Sequence, residues 1–259
     1  MNSPEASLQL MLRTLKLPSF VANHEEISAQ TESHGWTFSQ ALRQLCELEL
    51  HDRRERRIER LMKASCLPSD KTLATLEQKK LPAKVRRQLP ALCEGGFVER
   101  GENVLLFGLP GRGKSHVASA IGHELVLRGR RVLYTATRAI VEKLLVARRE
   151  LELDRMLRRL DGFDVVILDD IGYVQQDRDE MEVLFTLFAQ RYERRSVVIT
   201  SNLVFSQWDR IFKDPMTTAA AIDRLVHHAT ILEMTGPSHR SEEAKKRSSK
   251  KTRKEGDDN

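Results

Sequence analysis

Gly108-Leu109-Pro110-Gly111-Arg112-Gly113-Lys114-Ser115, with His116 directly after it, has the residue types and spacing of a loop that wraps phosphate. Glycines 108, 111 and 113 let the backbone curl until its N–H groups converge on phosphate oxygens. The positive end of a following helix adds to that attraction. In such a loop Lys114 reaches the β- and γ-phosphates of a nucleoside triphosphate, and the Ser115 hydroxyl holds Mg²⁺. The loop therefore predicts an ATP site.

A magnesium site of this kind needs a second oxygen ligand at the end of a buried strand. Val165-Val166-Ile167-Leu168 followed by Asp169-Asp170 supplies one, with two carboxylates at the carboxyl edge where open α/β sheets bind their ligands. Asp169 is the expected metal partner, through water, because Mg²⁺ keeps much of its hydration shell. Asp170 is the candidate to orient or deprotonate the attacking water. Glutamate is more usual at that place, and aspartate is one methylene shorter, which predicts slow hydrolysis or a differently placed water. Asn202, closing Thr200-Ser201-Asn202, either senses the γ-phosphate or forms a turn. Arg224 is either the extra cation that phosphoryl transfer asks for, supplied to a neighbouring subunit, or a surface ion-pair residue. The adjacent His227 and His228 read as core or surface histidines, since neighbours on a helix point about 100° apart. Trp36 and Trp208 read as packing residues.

The elements that must carry these groups alternate. Short apolar runs at 103–107, 131–135, 164–168, 196–200 and 230–234 predict five strands, with helices near 114–128, 138–158, 179–193 and 216–228. Strands spaced by helices give an α/β fold, a five-stranded parallel sheet covered on both faces. Before it, residues 1–70 read as a helical region. Ser3-Pro4 opens a helix that Pro18 ends, and the capping-box pair Thr37 and Gln40 starts another running from 38 to about 65. Its sign-alternating stretch HDRRERRIER belongs in water or against a partner. Leu81-Pro82 and Leu89-Pro90 interrupt residues 71–100, which read as a connector with short helical pieces. Residues 101–237 form the sheet domain, and 238–259 a basic, disordered tail.

Composition sets the outer limits. The 259 residues are 40% hydrophobic and 31% charged, enough for a core that needs no disulfide or metal staple. Cys46, Cys66 and Cys93 lack zinc-ligand spacing and read as thiols of a reducing compartment. No apolar run reaches the roughly 18–20 residues of a membrane span, and the first residues lack a signal peptide's basic start, so the expectation is a cytoplasmic protein with no membrane partner. The formal net charge is +6, concentrated in Lys79–Arg87 and in 240–254. Such clusters mark either nucleic-acid contact or a solvated face. Aromatics at 5% argue against rows of base-stacking rings.

Taken in order, GLPGRGKSH, VVILDDIGY, VVITSNLVFSQW, AAIDRLVHHA and the closing GPSHR resemble the IstB-like transposition helper ATPases, of the AAA+ class and related to the DnaC helicase loader. The likeness covers roughly residues 5–240 and extends into ELELHDRRERRIERLMKASCLPSDKTL. It implies an AAA+ sheet of strand order 5-1-4-3-2 and ATP bound between subunits of a homo-oligomer. It further implies Arg224 as an arginine finger acting on the neighbour's nucleotide, and Arg240 as a second nucleotide-sensing arginine. The assembly would form on double-stranded DNA, deform it and present it to a DDE-type transposase, with the N-terminal region aiding assembly and transposase contact. Ser115 stands where threonine is frequent, and the lysine-rich tail after Arg240 is no shared motif. Two other readings stand beside this one. One is a loader placing a replicative helicase on single-stranded DNA; the other is a metabolite kinase on the same loop, which would need an acceptor site and a lid.

Overall fold

A computed structural model describes residues 4–171, 178–203 and 222–235. The chain divides into two compact units, Met1–Arg60 and Leu61–Asn259.

In the first unit α1 (Pro4–Thr14), α2 (Pro18–His34) and most of α3 (Phe38–Ser65) are helical. Pro18 was expected only to end a helix; it also starts one. It sits in the first turn of α2, where its missing N–H costs nothing. α2 buries only Ser19 and Ile27, so its sequence shows little periodicity. The Thr37–Gln40 box forms as read: the Gln40 side chain accepts from the Thr37 N–H at 2.7 Å and the Thr37 hydroxyl accepts from the Gln40 N–H at 3.4 Å. The amino end of α2 is capped from outside. The Ser19 N–H donates to the buried Glu49 carboxylate at 2.9 Å, and the Ser19 hydroxyl donates to Asp52 at 2.7 Å. Burial pushes the Glu49 carboxyl up, but the Arg53 guanidinium at 2.7 Å and the Ser19 donors outweigh it, leaving the group below its ordinary range.

The second unit is a parallel sheet of β1 (Asn103–Phe107), β2 (Val132–Ala136), β3 (Val165–Asp169), β4 (Ser196–Ser201) and β5 (Ala229–Glu233). Their spatial order is β2-β3-β4-β1-β5, the order the AAA+ resemblance implies. Each strand lies within a residue or so of the run that predicted it. Alternate residues feed opposite faces. Leu105 and Phe107 pack under α7 (Thr137–Arg149), α8 (Leu153–Asp161) and α9 (Arg178–Arg191), while Val104 and Leu106 pack under α4 (Ala83–Glu94) and α6 (Lys114–Leu127).

Two helical expectations need correction. The single helix expected over 138–158 is α7 and α8, broken at Leu151, whose φ of 58° puts a leucine where a glycine usually closes a helix. The Glu152 N–H then reaches back to the Ala147 carbonyl at 2.7 Å. Pro90 does not interrupt a helix but lies inside α4, its ring exposed while Leu89, Leu92 and Cys93 are buried. Residues 81–99, expected as part of a connector, carry α4 and the one-turn α5 (Gly96–Glu99) and put Leu81, Val85, Leu89 and Phe97 into the core beneath the sheet.

Arg191, in the RYERR stretch that ends α9, is fully buried. Its guanidinium donates to the carbonyls of Leu160 (3.0 Å), Phe163 (3.1 Å), Asp164 (3.3 Å) and Ser196 (2.9 Å), joining α8, the connection into β3, and β4. Burial pulls its pKa down to about 10. Arg191→Leu strands those carbonyls away from water and is expected to lower the stability of the second unit by about 3–5 kcal/mol in urea denaturation. Arg194→Leu, at a side chain 63% exposed, is expected to change it by roughly 0.5 kcal/mol or less.

Candidate functional site

The phosphate-type loop joins β1 to α6, the position its sequence required. Gly108, Gly111 and Gly113 have φ of 149°, 78° and 84°. Gly108 also backs onto the end of β5, where a Cβ would stand 2.5 Å from the Met234 carbonyl oxygen. No side chain caps the amino end of α6, so its first N–H groups are not claimed by a capping oxygen.

Lys114, only 6% exposed, sends its ammonium back under the loop. It donates to the carbonyls of Gly108 at 2.6 Å and Leu109 at 3.1 Å and to Asn202 Oδ1 at 2.6 Å. Asn202 Nδ2 in turn donates to Asp170 Oδ1 at 2.9 Å. One side chain at the end of β4 thus bridges the loop lysine and the second carboxylate. Asp170 has φ of 62°, a left-handed conformation that aspartate tolerates better than most residues.

Asp169 is held from both neighbouring strands. Thr200 Oγ1 donates to its Oδ1 at 2.6 Å, Tyr134 OH donates to its Oδ2 at 2.5 Å, and Thr137 Oγ1 donates to its carbonyl at 3.1 Å. The same Thr200 oxygen accepts the Asp170 N–H at 2.8 Å. Burial, then the bond to Asp169, pushes the Tyr134 phenol well above its usual range, so it remains a donor.

A cleft of about 580 Å³ opens over these groups, lined by Pro110 to His116, Asp170, Thr200 and Asn202. Its other wall is a stretch sequence reading missed: Asp70, Lys71, Thr75, Leu76, Glu77 and Leu81. Two histidines seven residues apart on α6 pin the neighbouring chain: His116 Nε2 lies 3.1 Å from the Thr72 carbonyl and 3.2 Å from Thr75 Oγ1, and His123 Nε2 lies 2.9 Å from the Pro68 carbonyl. That spacing on a helix following the glycine loop was the available signal. The Ser115 hydroxyl and the carboxylates of Asp169 and Asp170 offer hard oxygens, with the His116 ring engaged elsewhere, a donor set that suits Mg²⁺.

The structure therefore gathers Lys114, Ser115, His116, Asp170 and Asn202 at one cleft, with Asp169 beside it. Gly108 and Leu109 form the base of the loop and are not among the lining residues. Arg224 is elsewhere: exposed, on helical residues 222–226, and not lining the chain's own cleft. That stretch is tied to the sheet through Asn103, whose Nδ2 donates to the Leu225 carbonyl at 3.1 Å and whose Oδ1 accepts from the Val197 N–H at 2.9 Å. Arg240 and Trp208 lie outside the described residues. His227 and His228 sit in a turn rather than a helix, so their rings converge to 4.1 Å, beside Glu193; all three are exposed and none lines the cleft.

The IstB-like ATP binding protein family matches residues 10–248. The chain belongs to that family. A relative described as an insertion sequence ATP-binding protein of Sinorhizobium fredii is 46% identical over 93% of this chain and 81% of its own. The IS21 ATP-binding protein of Pseudomonas aeruginosa is 36% identical over 92% of this chain and 90% of its own. Among solved structures, the DnaC helicase loader superposes with a TM-score of 0.50 at 18% identity, over 68% of this chain and 99% of that one. A DnaA replication initiator bound to AMPPCP and single-stranded DNA superposes with a TM-score of 0.57 at 16% identity, over 67% and 52%. These structures show the shared AAA+ fold. Among the described residues, no helix is long and apolar enough to cross a membrane.

Gly108→Ala is expected to disrupt this IstB-like site, because the added methyl meets backbone rather than a side chain that could swing away. Thermal unfolding should fall by several degrees and binding of a fluorescent ATP analogue should be lost, whereas Gly35→Ala, with no atom within 4 Å of its Cβ position, should leave nucleotide binding unchanged.

Proposed function

We propose that this chain is the ATPase of an insertion sequence, a helper that assembles with copies of itself on double-stranded DNA and engages a DDE-type transposase. The observation that carries the reading is the hydrogen-bonded chain Lys114–Asn202–Asp170, which joins the loop lysine to a carboxylate through the polar side chain that directly follows β4.

Each residue then has a task. The loop N–H groups from Gly111 to Ser115, at the amino end of α6, bind the phosphates of ATP. Lys114 exchanges carbonyl and Asn202 acceptors for the β- and γ-phosphate oxygens. The Asn202 amide, released from the lysine, reports that change to Asp170. Ser115 and Asp169 would hold Mg²⁺, which would offset the negative charge on the phosphates. Asp170 orients and deprotonates the attacking water. Arg224 is proposed to serve the nucleotide of an adjacent copy, a role its exposure and its absence from its own cleft support, and Arg240 is proposed as a second sensor of the same nucleotide. ATP held between copies favours the assembly, and hydrolysis loosens it.

Duplex contact is supported by the charge distribution. α8 buries Leu157 and Leu160 while Arg155, Arg158 and Arg159 face solvent, and basic residues concentrate again in 79–87 and beyond 240. Helicase loading by the same ATPase would rest on likeness of fold alone.

Lys114→Ala is expected to lose binding of a fluorescent ATP analogue and, with it, ATP-dependent assembly on duplex DNA seen by electron microscopy; assembly at wild-type level would defeat the proposal. Asp170→Asn should bind nucleotide normally, hydrolyse it about 10²–10⁴-fold more slowly and persist on DNA. Fast release of phosphate by that variant would remove Asp170 from the water-orienting role.

A further inference from the structure

We infer that Tyr134 is a positioning residue for the metal-facing carboxylate Asp169, acting from the edge strand of the sheet; the inference rests on the nucleotide and Mg²⁺ reading above.

The register explains how it reaches. β2 pairs with β3 so that Ala136 lies beside Asp169 and Tyr134 beside Ile167. Residues two apart on a strand share a face, so Tyr134 and Ala136 point to the same side. A methyl at 136 cannot hydrogen-bond. A side chain as long as tyrosine, set two residues back, can extend along the strand, and its hydroxyl meets Asp169 Oδ2 at 2.5 Å. On the opposite flank Thr200 follows Ile199, the partner of Leu168, and meets Oδ1 at 2.6 Å.

Two hydroxyls from two different strands therefore fix both oxygens of one carboxylate. A carboxylate has about four lone-pair positions, so two donors set its plane and leave acceptor sites for a metal-bound water. Without the Tyr134 hydroxyl, Asp169 would keep one tether and could rotate about it. Outer partners of this kind tune the ligands they hold. The clamp is also linked to the rest of the site. Thr200 accepts the Asp170 N–H, and Asp170 takes the Asn202 amide, so the orientation of Asp169 and the backbone of Asp170 share one oxygen.

Tyr134→Phe removes the hydroxyl and keeps the ring that packs against the core, which separates positioning from packing. The probes are Mn²⁺, followed by its electron paramagnetic resonance signal in the presence of AMP-PNP, and a fluorescent ATP analogue titrated in EDTA. The variant should weaken Mn²⁺ binding about tenfold while metal-free nucleotide affinity and thermal unfolding stay at wild-type values. Equal Mn²⁺ affinity in the two proteins overturns the positioning role. So does an equal loss of metal-free nucleotide affinity, which would mark Tyr134 as part of the general architecture. A wild-type protein that binds neither probe overturns the underlying nucleotide reading, and this inference with it. Wild-type binding with Lys114→Ala blind to nucleotide, alongside an unaltered Tyr134→Phe, would leave that reading standing and refute the tyrosine alone.

Discussion

A buried ammonium group is the constraint around which this site is organised. Placing a lysine at 6% exposure costs several kcal/mol unless its donors are matched, and an ammonium carries three. Gly108, Leu109 and Asn202 each offer an oxygen. Two of those acceptors exist only because the glycine loop folds its carbonyls inward. The third exists only because β4 ends one residue before an asparagine. Loop shape, strand length and the reach of α6 are thus all answers to the same electrostatic demand. Phosphate oxygens, being charged, are stronger acceptors than the groups they would displace.

The parts of this architecture that follow short-range rules were legible in the sequence. Five apolar runs marked the strands, the glycine spacing marked the loop, and Thr37 with Gln40 marked the start of α3 to the residue. What escaped depended on contacts distant in sequence. Leu151 ends α7 in a left-handed conformation without a glycine to announce it. α2 buries too little for a periodic signal. Pro90 is tolerated in α4 because its ring faces water while Leu89 and Leu92 hold the helix down. Nothing local in the basic stretch around Arg191 marks it as buried; the four backbone carbonyls that make it a junction come from α8, from the connection into β3 and from β4.

The candidate site divides in the same way. Lys114, Ser115, Asp169, Asp170 and Asn202 could be set near one another from sequence because each lies at, or one residue from, the end of an element whose type was plain. The second wall of the cleft, residues 70–81, was not, because its place is set by His116 and His123 on α6 rather than by its own pattern. Tyr134 was missed for a related reason: the implied strand order sets β2 beside β3, but not the register that puts Tyr134 two residues before the partner of Asp169. Thr200 was noted only as a neighbour of Asn202, although its hydroxyl touches both carboxylate residues.

Asn103 has a mechanical consequence. A single amide group fastens the stretch bearing Arg224 to the first and fourth strands, spanning 122 positions of chain in one contact and 94 in the other. An arginine mounted this way inherits the stiffness of the sheet instead of the looseness of a loop. Any shift of that stretch against the core would break the Asn103 bond to Leu225, so the position of the Arg224 backbone is coupled to the register of β1 and β4.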